Sequence, residues 1–295
     1  MTMRTTVAVL SALFLLVACE DTDAGVIHSE KSLYRNILVT EDGDLRCMTF
    51  RRGQGQNRQT CMNINDPDHL VFPYTRMMLG VLAMKPDPQS ILIVGLGGGT
   101  LPMALRDILP DARIDVVEID PAVVKVAKEF FAYEEDPKLQ TATGDGRVFV
   151  KKALLENTKY ELIMLDAFED EYIPEHLLTL EFLQEVKSLL EPGGVLAANT
   201  FSSSGLYPHE SATYEAAFGS FYNLKSTNRV IWAQEGPLMD RDVIVSNATD
   251  LAPHLKERDV DVDWLMNLVS PKKDWPDDTR VLTDQYAPSN ILNER

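Results

Sequence analysis

An apolar run that leads straight into a cluster of glycines constrains the fold of this chain most. Residues 91–94 indicate a buried strand, the glycine-rich segment 95–99 follows at once, and a helical stretch comes next. Side chains at such a turn would keep a ligand away from the backbone, so glycine allows a nucleoside or phosphate to sit on the strand end. Gly95, Gly97 and Gly99 are therefore predicted to form a nucleotide-binding loop.

The sequence after residue 90 alternates short apolar runs with amphipathic helical stretches, which is typical of a doubly wound α/β sheet. The strands are predicted at 91–94, 114–117, 162–165 and 195–198. Helices are predicted at 121–131 and 180–190, and the turn 191–194 should end the second. The polar, proline-containing segment 274–295 is predicted to lie along the surface.

A small β-domain is predicted before this sheet. Strands are expected at 34–39, 45–50 and 58–64, with a hairpin turn at 53–55 that places Cys47 opposite Cys61. Opposed residues of a hairpin lie within disulfide range, although two reduced cysteines on a strand fit the pattern equally well. A helix at 69–84 and a linker at 85–88 should connect this domain to the sheet.

The N-terminus resembles a bacterial lipoprotein signal. Arg4 supplies a positive charge, the apolar stretch 7–17 is short for a bilayer span, and Leu16-Val17-Ala18 precedes Cys19. Cleavage at that point would make Cys19 the lipidated N-terminus of an exported, membrane-anchored protein facing the periplasm or the cell exterior. An uncleaved anchor or a wrongly assigned start codon are the alternatives.

The charge of the chain excludes one class of partner. Asp and Glu number 45 against 28 Lys and Arg, and the net charge of −17 is spread over the whole sequence, whereas nucleic-acid binding needs clustered cations. An acidic surface would attract a polyamine, but it also serves plain solubility. Because neither Cys47 nor Cys61 has metal-site spacing, no metal is expected.

Acidic residues follow each strand at the same predicted edge. Glu118 ends the second strand, where a carboxylate can accept both hydroxyls of a ribose. Asp145, before Gly146, follows a further strand expected between the runs 114–117 and 162–165, and it can accept a hydrogen bond from an adenine amino group. Asp166 directly follows the run 162–165. This order predicts one nucleoside crevice with acids at its mouth.

These motifs, in this order, resemble those of the spermidine synthase family over nearly all of the predicted mature chain. Residues 34–39 resemble the family's opening strand, and Tyr74 stands at its substrate-contacting tyrosine. The glycine loop, Glu118 with Asp120, the turn at Asp145 and the loop that begins at Asp166 complete the resemblance. It implies a Rossmann-like S-adenosylmethionine-dependent transferase fold with a small N-terminal β-domain.

The resemblance also implies a reaction. Family members move an aminopropyl group from decarboxylated S-adenosylmethionine to putrescine or another amine, and they hold no tightly bound cofactor. Asp166 would be the base that takes a proton from the amine. Glu169 and Asp170 would bind the remote ammonium of a diamine, or else form a solvated acidic loop.

Several positions depart from the family's pattern. Gly98 stands where the family has an aspartate that binds the aminopropyl ammonium, Arg35 replaces a glutamine, Arg76 replaces an acid, and Asp170 stands where the loop usually has proline. Two guanidinium groups would favour a donor that keeps its carboxylate, so Arg35 is predicted to contact the donor. The family's C-terminal tyrosine region is also missing, and Trp232 is a candidate for its packing.

Three functions therefore stay open at this stage. Aminopropyl transfer to a small amine or polyamine is favoured; the others are a different S-adenosylmethionine reaction, such as methyl transfer, and non-catalytic capture of a nucleoside or polyamine. The chain divides into a signal (1–18), a tether (19–32), the β-domain with its linking helix (33–88) and the nucleoside-binding domain with its tail (89–295). The acceptor amine and the oligomeric state, a homodimer included, are not fixed by the sequence.

Overall fold

The computed structural model describes residues 25–52, 55–167, 173–200, 202, 204–288 and 292. Its N-terminal part is an antiparallel sheet of four strands in the order β1-β2-β3-β4. The strands are β1 (Val26–Lys31), β2 (Asn36–Asp42), β3 (Leu45–Arg52) and β4 (Gly55–Asn63). In this sheet Cys47 pairs with Cys61 across β3 and β4, and a disulfide joins them with Cα atoms 4.1 Å apart.

Strand β1 lies within the segment 19–32 that was predicted to be a tether. Val26–Lys31 pair with β2, with a shift of register between Val26 and His28. Their side chains are mostly polar, so no apolar alternation marks the strand. Instead His28 stacks on Phe130 with ring centroids 4.7 Å apart, and Glu30 binds Lys125 at 2.7 Å.

The larger sheet has seven strands in the order β10-β11-β9-β8-β5-β6-β7. Strands β5 to β9 are parallel, and β10 and β11 add an antiparallel edge. The strands are β5 (Ser90–Val94), β6 (Arg113–Glu118), β7 (Leu139–Thr143), β8 (Tyr160–Leu165), β9 (Leu190–Thr200), β10 (Tyr222–Lys225) and β11 (Arg229–Gln234). Each strand predicted from the apolar runs is present at its place.

Helices cover both faces of this sheet, so its central strands are buried on both sides. They are α1 (Pro73–Leu79), α2 (Thr100–Ile108), α3 (Pro121–Phe130), α4 (Gly146–Leu155), α5 (Leu180–Leu189), α6 (Leu206–Phe218), α7 (Arg241–Glu257) and α8 (Val262–Leu268). The N-terminal sheet packs on α3, where Ile37, Val39 and Met48 contact Val123 and Val126.

Two predicted boundaries differ from the structure. The helix expected at 69–84 is α1 followed by a 3₁₀ turn, Gly80–Ala83, because Pro73 lacks a backbone N–H and starts the helix at its first turn. The turn expected at 191–194 lies within the bounds of β9, where Gly193 has a φ of 76° and the pairing with β8 shifts register.

The strand order places a crevice at one edge of the large sheet. The chain leaves β5 towards β6 on one side, while β8 flanks β5 on the other, so the order reverses beside β5. In open α/β sheets a ligand binds outside the carboxyl ends of the strands at such a point. The loops after β5, β6, β7 and β8, which carry the predicted site residues, all open there.

Candidate active site

The glycine loop after β5 has no room for side chains at Gly95 and Gly99, where φ is also positive. Gly95 has a φ of 101°, and a Cβ atom there would lie 2.3 Å from the carbonyl oxygen of Asp166. Gly99 has a φ of 81°, and its Cβ would meet the ring of Tyr133 at 2.6 Å. Gly97, with a φ of 55°, meets only Thr60 at 4.0 Å. The loop therefore presents bare backbone at the end of β5.

Glu118, the last residue of β6, is hydrogen-bonded to this loop. Its Oε2 accepts a hydrogen bond from the backbone N–H of Leu96 at 3.0 Å, and its Oε1 accepts one from that of Asp120 at 2.9 Å. Burial raises the pKa of the carboxyl despite these bonds. Each oxygen retains a second lone pair, so the carboxylate can still accept ribose hydroxyls.

Arg35 lies beside this carboxylate. Its guanidinium stacks over the ring of Phe50 at 4.3 Å, and its Nε is 3.7 Å from Oδ2 of Asp120. Ser32 donates to the same Asp120 oxygen at 2.5 Å, and Asp120 also caps α3. The loop between β1 and β2 therefore places the Arg35 guanidinium close to Asp120 and Glu118.

Arg76, the second guanidinium predicted to favour a donor carboxylate, has partners of its own. Its Nε donates to the carbonyl oxygen of Leu70 at 2.7 Å, and its Nη2 is 2.9 Å from Asp259. The guanidinium fastens α1 to the end of α7. These contacts give no support to the prediction that two guanidinium groups act together on a donor carboxylate.

Asp145 caps α4 at the end of β7. Its Oδ1 accepts from the backbone N–H of Val148 at 2.9 Å, and its Oδ2 lies 2.8 Å from Nε2 of His176. Burial would raise the pKa of this carboxyl, but hydrogen bonds from Val148, His176 and the backbone of Arg147, with the charge interaction with His176, outweigh it and leave the pKa lowered. Gly146 lets the helix approach β5, because a Cβ there would lie 2.6 Å from Cγ1 of Val94.

Asp166 follows β8 and meets two side chains from other elements. Its Oδ1 accepts a hydrogen bond from Nδ2 of Asn199, at the end of β9, at 2.9 Å, and the side chain of Tyr74, on α1, bonds to the same carboxylate. Loss of hydration raises the pKa of Asp166 to about 7, although both bonds act in the opposite direction. Asp166 and Tyr74, both predicted from the sequence, thus lie together.

Asn199 was missed by the sequence analysis. It is 5% exposed, and its Oδ1 is buried without a hydrogen-bond partner among the described residues. The available signal was its position, since it is the first polar residue after the apolar run 195–198. The run 195–198 and the run 162–165, which precedes Asp166, are parallel and end at the same edge of the sheet.

The position of Gly98 is closed by the N-terminal sheet. A Cβ atom on Gly98 would lie 2.6 Å from Cγ2 of Thr60 and 3.2 Å from the ring of Phe131. Thr60, on β4, is buried, and its hydroxyl is 3.3 Å from that of Thr100. The structure has no space here for an acidic side chain as it stands.

Three predicted residues lie outside the described part of the chain, namely Cys19, Glu169 and Asp170. Within the described ranges there is no group of three or more His, Cys, Asp or Glu side chains arranged to hold a metal ion. No helix within those ranges is long and apolar enough to cross a bilayer.

A family profile and a similar protein of known sequence match this chain over much of its length. Residues 71–226 match the family profile of the spermine/spermidine synthase domain. The polyamine aminopropyltransferase of Vibrio vulnificus is 45% identical over 273 residues, which covers 90% of this chain and 91% of that protein.

Two solved structures share the fold. A probable spermidine synthase from Corynebacterium glutamicum superposes with a TM-score of 0.64 at 19% identity, over 86% of this chain and 98% of its own. Human methyltransferase-like protein 13, solved with SAH, superposes with a TM-score of 0.55 at 26% identity, over 74% of this chain and 96% of its own.

Proposed function

Because the chain belongs to the spermine/spermidine synthase family, we propose that it transfers an aminopropyl group from an S-adenosyl donor to a small amine, as a step of polyamine biosynthesis. The observation that carries the proposal is the contact of Asp166 with Asn199 and Tyr74 at the mouth of the crevice. Glu118 and Asp145, on the neighbouring strands, would hold the ribose and the adenine of the donor.

The three side chains suit an incoming amine. An ammonium group must lose a proton before its nitrogen can attack, and a carboxylate with a pKa of about 7 can accept that proton at neutral pH. The unpartnered Oδ1 of Asn199 can accept a second N–H of the same group. Asp166 and Asn199 together would therefore orient the nitrogen lone pair towards the donor.

The bond changes balance without a further reactant. The amine nitrogen forms a bond to the carbon next to the sulfonium, and the carbon–sulfur bond breaks with its electron pair going to sulfur. The products are the alkylated amine and neutral methylthioadenosine, and Asp166 carries the proton taken from the amine. The crevice has only to place the two reactants in line.

We infer that decarboxylated S-adenosylmethionine is the preferred donor, with intact S-adenosylmethionine as the alternative. Arg35 supports the alternative, because a guanidinium near Glu118 could meet a donor carboxylate, and Gly98 offers no acid to an ammonium. The pairing of Arg76 with Asp259 removes the second cation from that argument. Calorimetry shows which of the two donors binds more tightly. The same measurement with methylthioadenosine and with spermidine tests the capture function.

The reaction itself is tested with Asp166→Asn. This variant should bind methylthioadenosine with nearly unchanged affinity while its turnover falls by about a hundredfold or more, the usual contribution of a positioned base. Steady-state kinetics with putrescine and calorimetry measure the two effects. Full turnover by the variant would contradict the role of Asp166, and a wild type without turnover on any amine would favour the capture function.

We also propose that the protein is exported and lipid-anchored at Cys19. The signal residues lie outside the described part of the chain, so the support comes from the Cys47–Cys61 disulfide, which persists in oxidising compartments. Labelling of the expressed protein with a radioactive fatty acid, compared with Cys19→Ala, tests the anchor. Equal labelling of both proteins would contradict it.

A further inference from the structure

The two oxygens of the Asp145 carboxylate have different partners. Oδ1 accepts from the backbone N–H of Val148 and caps α4, whereas Oδ2 lies 2.8 Å from Nε2 of His176. These bonds fix the plane of the carboxylate. A carboxylate oxygen has two lone pairs, so Oδ2 can accept one further hydrogen bond while His176 stays in place.

The backbone of His176 is fastened to the same helix that Asp145 caps. His176 lies in a 3₁₀ turn, Glu175–Leu177, and its carbonyl oxygen accepts from Nη1 of Arg147 at 3.2 Å. Arg147 is buried and also binds Glu185 and Asp284, each through two hydrogen bonds. The turn is therefore held at a fixed place relative to α4.

The edge that this pair presents to a ligand contains acceptors. The His176 side chain is 44% exposed and the Asp145 side chain is 29% exposed, so both are accessible from outside the protein. A neutral imidazole that donates through Nε2 keeps Nδ1 as an acceptor, and Oδ2 of Asp145 is an acceptor as well. The exocyclic amino group of adenine supplies hydrogen to such an edge, whereas the oxygen of a 6-oxo purine would leave it unpaired.

We propose that His176 is a positioning residue for the nucleobase, which holds Oδ2 of Asp145 ready for a 6-amino group and so favours adenine over 6-oxo purines. The inference deepens the proposed function and rests on it, because it takes Asp145 as the acid that meets the base. Sites built to satisfy a particular hydrogen bond discriminate strongly against an analogue that cannot make it.

The test measures binding of methylthioadenosine and of methylthioinosine, its 6-oxo analogue, to three proteins. In His176→Ala the affinity for methylthioadenosine should fall about tenfold, and the preference for adenine should fall by a similar factor, because Oδ2 of Asp145 loses the partner that fixes its direction while Oδ1 stays bonded to Val148. In His176→Gln, whose amide nitrogen can take the place of Nε2, both values should stay within about twofold of the wild type. His254→Ala, on the exposed side of α7, is the control and should change neither.

Several outcomes would overturn the proposal. An unchanged preference in His176→Ala would show that Asp145 needs no support, and equal losses for both nucleosides would indicate a structural role. Tighter binding by His176→Ala would mean that the imidazole competes with the base. If the wild type bound neither nucleoside, the proposed function itself would fail, a result separate from all of these.

Discussion

The charged form of Asp166, which the proposed proton transfer needs, is disfavoured in the folded protein. Loss of hydration raises its pKa to about 7, from an ordinary value of 3.8, so the folded protein binds this proton more tightly than the unfolded chain does. Stability is therefore lost as the pH rises from about 4 through 7. Asp166→Asn avoids that loss, so its Tm should exceed that of the wild type at pH 8 and the difference should shrink at pH 5. Thermal unfolding at both pH values measures it, and a difference independent of pH would contradict the explanation.

Glu118 and Asp145 are expected to act on nucleoside affinity. Glu118→Ala and Asp145→Ala should each weaken methylthioadenosine binding more than tenfold, because each removes a carboxylate that can accept a hydrogen bond from the ligand. Calorimetry measures both. Glu118→Ala also leaves the amides of Leu96 and Asp120 without their acceptor, so circular dichroism should check its fold. Unchanged affinity in both variants would place the nucleoside elsewhere.

At the scale of elements, strand β4 and the glycine loop share one packing contact. Gly98→Ala would place a Cβ atom 2.6 Å from Cγ2 of Thr60, and overpacking of this kind costs about 1–3 kcal/mol. Thr60→Ala in the same protein should restore most of the loss. Gly144→Ala is the matched control, since a Cβ there has no neighbour within 4 Å. Urea unfolding measures all variants, and no rescue by Thr60→Ala would mean that the strain arises elsewhere.

Four strands of the large sheet could be predicted because they are continuous apolar runs, as at Ile91 to Val94. Glu118 and Asp166 could be placed since each follows such a run, whereas β7 before Asp145 is largely polar and Asp145 was placed by its position between Gly144 and Gly146. Strand β1 could not be predicted, because its pairing is through the backbone and its polar side chains bind partners far along the chain, as Glu30 binds Lys125. Asn199 and His176 were missed for a related reason, since each acts through a carboxylate on another element.

At the scale of the whole molecule, the disulfide is expected to stabilise the fold through the unfolded state. Cys47 and Cys61 are 14 residues apart, and closing a loop of that size contributes about 3 kcal/mol. The double variant Cys47→Ala/Cys61→Ala should therefore unfold at lower urea, and reduction should bring the wild type to the same midpoint. Two free thiols in the denatured, unreduced, delipidated protein would show that the bond is not formed.

The hydrogen bonds of Arg147 with Glu185 and Asp284 have a consequence for how the protein is made. Asp284 lies 137 residues after Arg147, so a ribosome must add all of them before the buried guanidinium acquires its second carboxylate partner. Until then one side of α4, the helix that Asp145 caps, has a cation with an incomplete set of partners. The surroundings of α4 are thus completed late, after translation has passed Asp284. They would be expected to reach their final form only when nearly the whole chain has been synthesised.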